Sequence, residues 1–154
     1  MTMRMNERFK ARWVSERLTE ALPRVVLEPR LHDVVHAPFV RCGDALVLAP
    51  FIEASTRREA FEDATAWEAF INKVHVEDLL TENLGISPLT HQGVRAAIDL
   101  AERLRPEGAF RVVLSLDPDA ASMTLRFFGL REGAAWNSDE LDAYDLEEIL
   151  VIDP

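Results

Sequence analysis

Phe110-Arg111-Val112-Val113-Leu114-Ser115-Leu116, then Asp117-Pro118-Asp119, then Met123-Thr124-Leu125-Arg126-Phe127-Phe128 is the most legible pattern in this 154-residue sequence. Phe110, Val112, Leu114 and Leu116 point one way, and Arg111, Val113 and Ser115 the other. After the turn, Met123, Leu125 and Phe127 alternate with Thr124, Arg126 and Phe128. Strict alternation on both sides of a turn predicts a β-hairpin with one buried face and one mixed face. Downstream, Ile149-Leu150-Val151-Ile152 is an unbroken apolar run. Such a run fits a strand covered on both faces, and so one inside the sheet.

Working upstream, Ser87 as N-cap and Pro88 at the first helical position open a helix whose inner face is Val94, Ala97, Ile98, Ala101 and Leu104. Asp99 and Arg103 stand one turn apart on its outer side, and Pro106 and Gly108 close it. Before it, Thr56-Arg57-Arg58-Glu59 has the form of a capping box, followed by a stripe of Ala60, Ala64, Trp67, Ile71 and Val74. Residues 73–80 either prolong that helix or form a short strand. Residues 24–54 read as extended, with the β-prone runs Val25-Val26-Leu27, Val34-Val35, Phe39-Val40 and Leu46-Val47-Leu48 interrupted by Pro29, Pro38 and Pro50. Cys42-Gly43-Asp44 reads as a hairpin turn. Phe9, Trp13, Val14, Leu18, Ala21 and Leu22 lie at helical spacing and predict a first helix over residues 6–22, stopped by Pro23. Near the other end, Ser138 caps a short helical turn through Leu141. Strands and helices do not alternate, which predicts an α+β fold: an antiparallel or mixed sheet of four to six strands with about three helices packed mainly on one side. Length and the absence of a linker predict one globular domain over residues 1–154.

Composition removes several classes of function. A net charge of −10 opposes a general affinity for nucleic acid or for an anionic membrane surface. A single Cys excludes an internal disulfide framework and points to a reducing, cytoplasmic setting. The longest apolar runs fall far short of a membrane span, and the Arg-rich first residues lack the apolar stretch of a signal peptide. The use of 15 Arg against 2 Lys points to a GC-rich bacterial source. Charge is unevenly spread: residues 1–30 carry a net +3, residues 31–130 a net −6 and residues 131–154 a net −7.

No phosphate loop, dinucleotide fingerprint, Cys-x-x-Cys, His-Glu-x-x-His or nucleophile elbow occurs, so no cofactor is expected. His32 and His36 would share a metal only on a helix. In the extended segment expected there they stand about 13 Å apart, too far for one ion, and no metal site is assigned. Asp117-Pro118-Asp119 opens like a calcium loop, but Ala120 and Ala121 offer no ligand, and turn formation accounts for it. Cys42 beside Arg41 reads as a small residue in a turn. His75-Val76-Glu77-Asp78 is the densest reactive cluster. His75 oriented by Asp78, with Glu77 and His91 as further members, would serve a ligand pocket or a hydrolase-like site.

The strongest local anomaly is residues 136–148. Six carboxylates there surround Trp136 and Tyr144, with Leu141 and Leu146 as anchors. Carboxylates steer a basic partner and aromatics supply interface anchors. Trp136, Asp139, Glu140, Asp142, Tyr144 and Asp145 are therefore the expected partner-binding set. The leading expectation is a small non-enzymatic protein that docks a basic protein, as an inhibitor or immunity-type protein does. Two alternatives stand beside it: the His75 pocket, and a homo-oligomer packed through Trp13, Trp136 or the Val113 and Phe128 face of the hairpin.

Overall fold

The alternating pattern forms a hairpin of β5 (Phe110–Asp117) and β6 (Ser122–Gly129), in register from Phe110↔Gly129 to Asp117↔Ser122. Asp117 closes the turn, its Oδ1 accepting from the backbone N–H groups of Asp119 and Ala120 at 3.0 Å each. This computed structural model describes residues 1–52, 58–82, 85–134 and 136–154. The apolar run at 149–152 lies within β7 (Glu148–Asp153), which pairs with β5 on one side and with β1 (Thr2–Met5) on the other. A two-residue strand, β4 (Val74–His75), pairs with β6, giving a five-stranded antiparallel sheet in the order β1-β7-β5-β6-β4. β2 (Phe39–Cys42) and β3 (Ala45–Leu48) make a separate hairpin, and Gly43 takes the positive φ of 67° that its two-residue turn requires.

Helices complete an α+β architecture: α1 (Glu7–Ser15), α2 (Leu18–Ala21), α3 (Pro29–Val35), α4 (Ala64–Ile71) and α5 (Ile86–Leu104). α5 lies across the main face of the sheet. Its Val94, Ala97, Leu100, Ala101 and Leu104 pack with Val112, Leu114, Leu116, Met123, Leu125, Phe127, Leu150 and Ile152 in one buried core. Gly93 lets the helix approach, since a Cβ there would lie 2.0 Å from the Met123 sulfur. The second face carries a smaller core of Val113, Phe128, Ile149 and Val151, covered by Leu141, Tyr144 and Ala69. No helix among the described residues is long and apolar enough to cross a membrane.

Several expected boundaries differ. The first helix is broken: Asn6 caps α1 by accepting from Phe9 N, but Arg17 adopts a left-handed φ of 50° and separates α1 from α2. Val14, expected on the inner stripe, is consequently exposed. β1, absent from the sequence reading, precedes that helix. Val25-Val26-Leu27 forms no strand, and Val34-Val35 belongs to α3. Pro29 starts that helix at a position where its missing N–H costs nothing, rather than interrupting a strand. His32 and His36 therefore share a helix face and stack with ring centroids 4.3 Å apart, against the separation of an extended chain. α4 starts at Ala64, where Asp63 accepts from Ala66 N. Of the expected capping box, Thr56 and Arg57 lie outside the described residues, while Arg58–Ala60 form a 3-10 turn. α5 begins at Ile86, just before Ser87. Asp99 is buried rather than outward-facing and pairs with Arg95 at 2.9 Å, while Arg103 donates to the carbonyls of Val35 and Ala37.

Candidate functional site

The second face of the sheet is only partly covered, and its gap is polar. Val113 and Ser115 of β5, Thr124 and Arg126 of β6 and Ile149 of β7 point into it, since alternate strand residues share a face. The segment after β6 then folds back as a roof: Trp136, Asn137, Tyr144 and Glu147 complete a cleft of about 360 Å³. The roof is pinned from several directions. Asn6, itself buried, donates to Glu147 O at 2.8 Å and accepts from Ile149 N at 3.0 Å. Tyr144 Oη accepts from Ser138 N at 3.0 Å, and the Trp136 ring leans on Phe128 with centroids 5.6 Å apart.

The basic start of the sequence and its acidic end, separate in the chain, meet here. Arg4 and Arg111 donate to Asp139 at 3.1 and 3.0 Å and hold its carboxyl below the ordinary aspartate value. Arg111 also grips Asp153, Arg12 grips Glu148 and Glu16, and Arg8 donates to the Asp145 carbonyl. Of the expected partner-binding set, Asp139 is thus engaged internally and Tyr144 supports the roof. Asp142 Oδ1 accepts from Glu7 N at 2.7 Å, yet its side chain stays at the surface. Among the described residues, Glu140, Asp142 and Asp145 make no ion pair, and neither does Glu147, which accepts from Ser115 Oγ. Leu146 stands between them 78% exposed, with Trp136 38% exposed nearby.

Arg126 is the residue that sequence reasoning passed over. Its guanidinium carbon sits 4.7 Å from the centre of the Trp136 ring. Burial pushes its pKa down, opposed by the charge of Glu147. Among the described residues it forms neither an ion pair nor a hydrogen bond. Other half-buried arginines are matched: Arg12 to Glu148, Arg103 to two carbonyls, Arg111 to Asp153 and Arg131 to Glu68. A sequence signal did exist, in the polar Ser115, Thr124 and Arg126 on the face that also holds Val113 and Phe128.

The alternative cluster is only partly assembled. His75 Nδ1 lies 3.5 Å from Glu77 Oε1, at the edge of the sheet opposite Thr124. Burial pushes the Glu77 carboxyl up, but hydrogen bonds from Ser122 Oγ and Met123 N, aided by His75, outweigh it and hold the pKa down. His91 belongs to a different contact, 3.4 Å from Glu16 Oε2. A second cleft includes Glu77, but neither His75, Asp78 nor His91 lines it. No group of three or more His, Cys, Asp or Glu side chains able to hold a metal occurs among the described residues.

The chain belongs to the Uncharacterized protein PM0498 family. The match covers residues 4–154 and so takes in every residue that lines the cleft. No curated protein and no solved structure matches the chain.

Proposed function

We propose that this chain is a small non-enzymatic binding protein of a bacterial cytoplasm that docks a basic protein partner, in the manner of an inhibitor or immunity-type protein. One observation carries the reading: Glu140, Asp142 and Asp145 stand at the surface beside the exposed Leu146 without an ion pair among the described residues, on a segment that hydrogen bonds hold in place. Unpaired surface carboxylates accelerate encounter with a cationic surface, and a fixed apolar anchor limits the ordering cost of docking. The chain's overall net charge of −10, to which these groups contribute, reinforces that steering at long range.

The test is affinity purification from the native host with the unmodified chain and with a variant carrying Glu140→Lys, Asp142→Lys and Asp145→Lys. Asp139 is left intact because it holds Arg4 and Arg111. The reading expects a basic protein that binds directly when purified, weakens as salt rises and loses affinity for the triple variant. A partner that binds both forms equally, or the absence of any basic partner, overturns it.

A further inference from the structure

We infer that the cleft under the C-terminal roof is a binding site for a small organic monocarboxylate with an apolar body, held by the Arg126 guanidinium. This site lies beneath the docking segment and does not depend on a protein partner.

A guanidinium presents a planar fork of N–H donors that matches a carboxylate in two parallel hydrogen bonds. The other half-buried arginines named above spend that fork on oxygens of the chain, whereas among the described residues Arg126 spends none of it. Trp136 holds the guanidinium from one side, which limits the rotamers that binding would have to freeze. Val113 and Ile149 provide an apolar floor, Tyr144 an apolar wall, and Ser115, Thr124 and Asn137 polar positions around it. A cleft of about 360 Å³ is at the small end of ligand pockets, which suits a single-ring acid rather than a nucleotide.

Charge selects among anions. Glu147 lines the same cleft and the chain carries −10 overall, so a doubly charged phosphate meets more repulsion than a single carboxylate. Replacing the carboxylate by an amine removes the acceptor that Arg126 needs.

The experiment is a titration of the full chain with benzoate and phenylacetate, with inorganic phosphate and benzylamine as comparators. It is read by NMR from the Trp136 indole N–H, assigned by its loss in Trp136→Phe. Both aromatic acids should shift that resonance saturably in the millimolar range or below, and the comparators should not. Arg126→Gln should weaken binding roughly tenfold or more, as expected for losing a charge-assisted pair. Should that variant fail to fold, Arg126→Lys gives the answer, because it keeps the charge, loses the fork and should still bind more weakly. The inference is overturned if neither acid saturates the signal, if phosphate or benzylamine acts equally well, or if the Arg126 variants bind like the original. None of these results bears on protein docking, which the charge-reversal variant tests separately.

Discussion

Two half-buried arginines, Arg126 within β6 and Arg131 just beyond its end, show how differently one side chain can be used. Arg131 reaches Glu68 of α4, whose side chain is 0% exposed. That carboxylate is saturated: Oε1 accepts from Leu46 N at 2.7 Å and Oε2 from Gly129 N at 2.7 Å, and Arg131 donates to both oxygens. One turn along, Asn72 accepts from Leu48 N and donates to Leu46 O. Together Glu68 and Asn72 tie the free edge of β3 to the end of β6, where β4 no longer pairs. Unpaired strand edges are a liability, and α4 satisfies both with side-chain polar groups. Arg126 faces the other way, into an open cleft with an aromatic ring for company and no hydrogen bond or ion pair to the described residues. A matched buried ion holds the architecture together, whereas the half-buried Arg126 keeps its donors free of the described residues.

The largest expected effect breaks the matched side. Arg131→Met leaves Glu68 fully buried with its charge uncompensated, and removing one partner of such a pair costs roughly 3–5 kcal/mol. Urea denaturation should show the midpoint falling with an unchanged slope. A loss below about 1 kcal/mol would mean that the backbone N–H groups of Leu46 and Gly129 alone keep Glu68 satisfied.

Intermediate in size is Asn6→Ala. Its Oδ1 caps α1 through Phe9 N and also accepts from Ile149 N, while its amide holds the Glu147 carbonyl that borders the cleft. Loss of a cap with further buried hydrogen bonds should cost about 2 kcal/mol. Amide hydrogen exchange should quicken over residues 144–149 well before it changes in α5. Uniform exchange throughout would show that the roof is held by its other contacts, and would weaken the case for a preformed cleft.

What the sequence disclosed follows from how local each signal is. The hairpin of β5 and β6, the inner face of α5 and the buried β7 were legible because alternation or helical spacing persists over a full element. β1 was not: four residues at a sheet edge, paired to one neighbour at the far end of the chain, carry no periodicity of their own. α3 was misread because Pro29 serves equally as a strand breaker and a helix starter, and only packing against α5 decides between them. The acidic segment was visible as composition. Its division into Asp139, spent on Arg4 and Arg111, and Glu140, Asp142 and Asp145, left at the surface, depends on long-range contacts that no spacing rule contains. Arg126 showed in the sequence only as one polar residue among Ser115 and Thr124 on the mixed face; its lack of a partner depends on the same long-range contacts.

The smallest expected effect is therefore the most informative. In Arg126→Met, loss of the stacking on Trp136 removes about 0.5–1 kcal/mol for a partly exposed pair. Against that, no hydrogen bond of the described residues is broken, no carboxylate is stranded in ion-pair contact, and the desolvation of a charged group is relieved. The thioether also retains contact with the indole face. These contributions oppose one another, so stability should change by no more than about 0.5 kcal/mol, as at an ordinary surface position. Measured beside Arg131→Met under identical denaturing conditions, the comparison sets a matched arginine against an unmatched one, since the same substitution is made at both. A loss above about 2 kcal/mol at Arg126 would place it among the structural arginines and remove the physical basis for a ligand in the cleft. A near-zero change is the result expected of an arginine that holds no structural partner, and the titration with aromatic acids then decides what its charge serves.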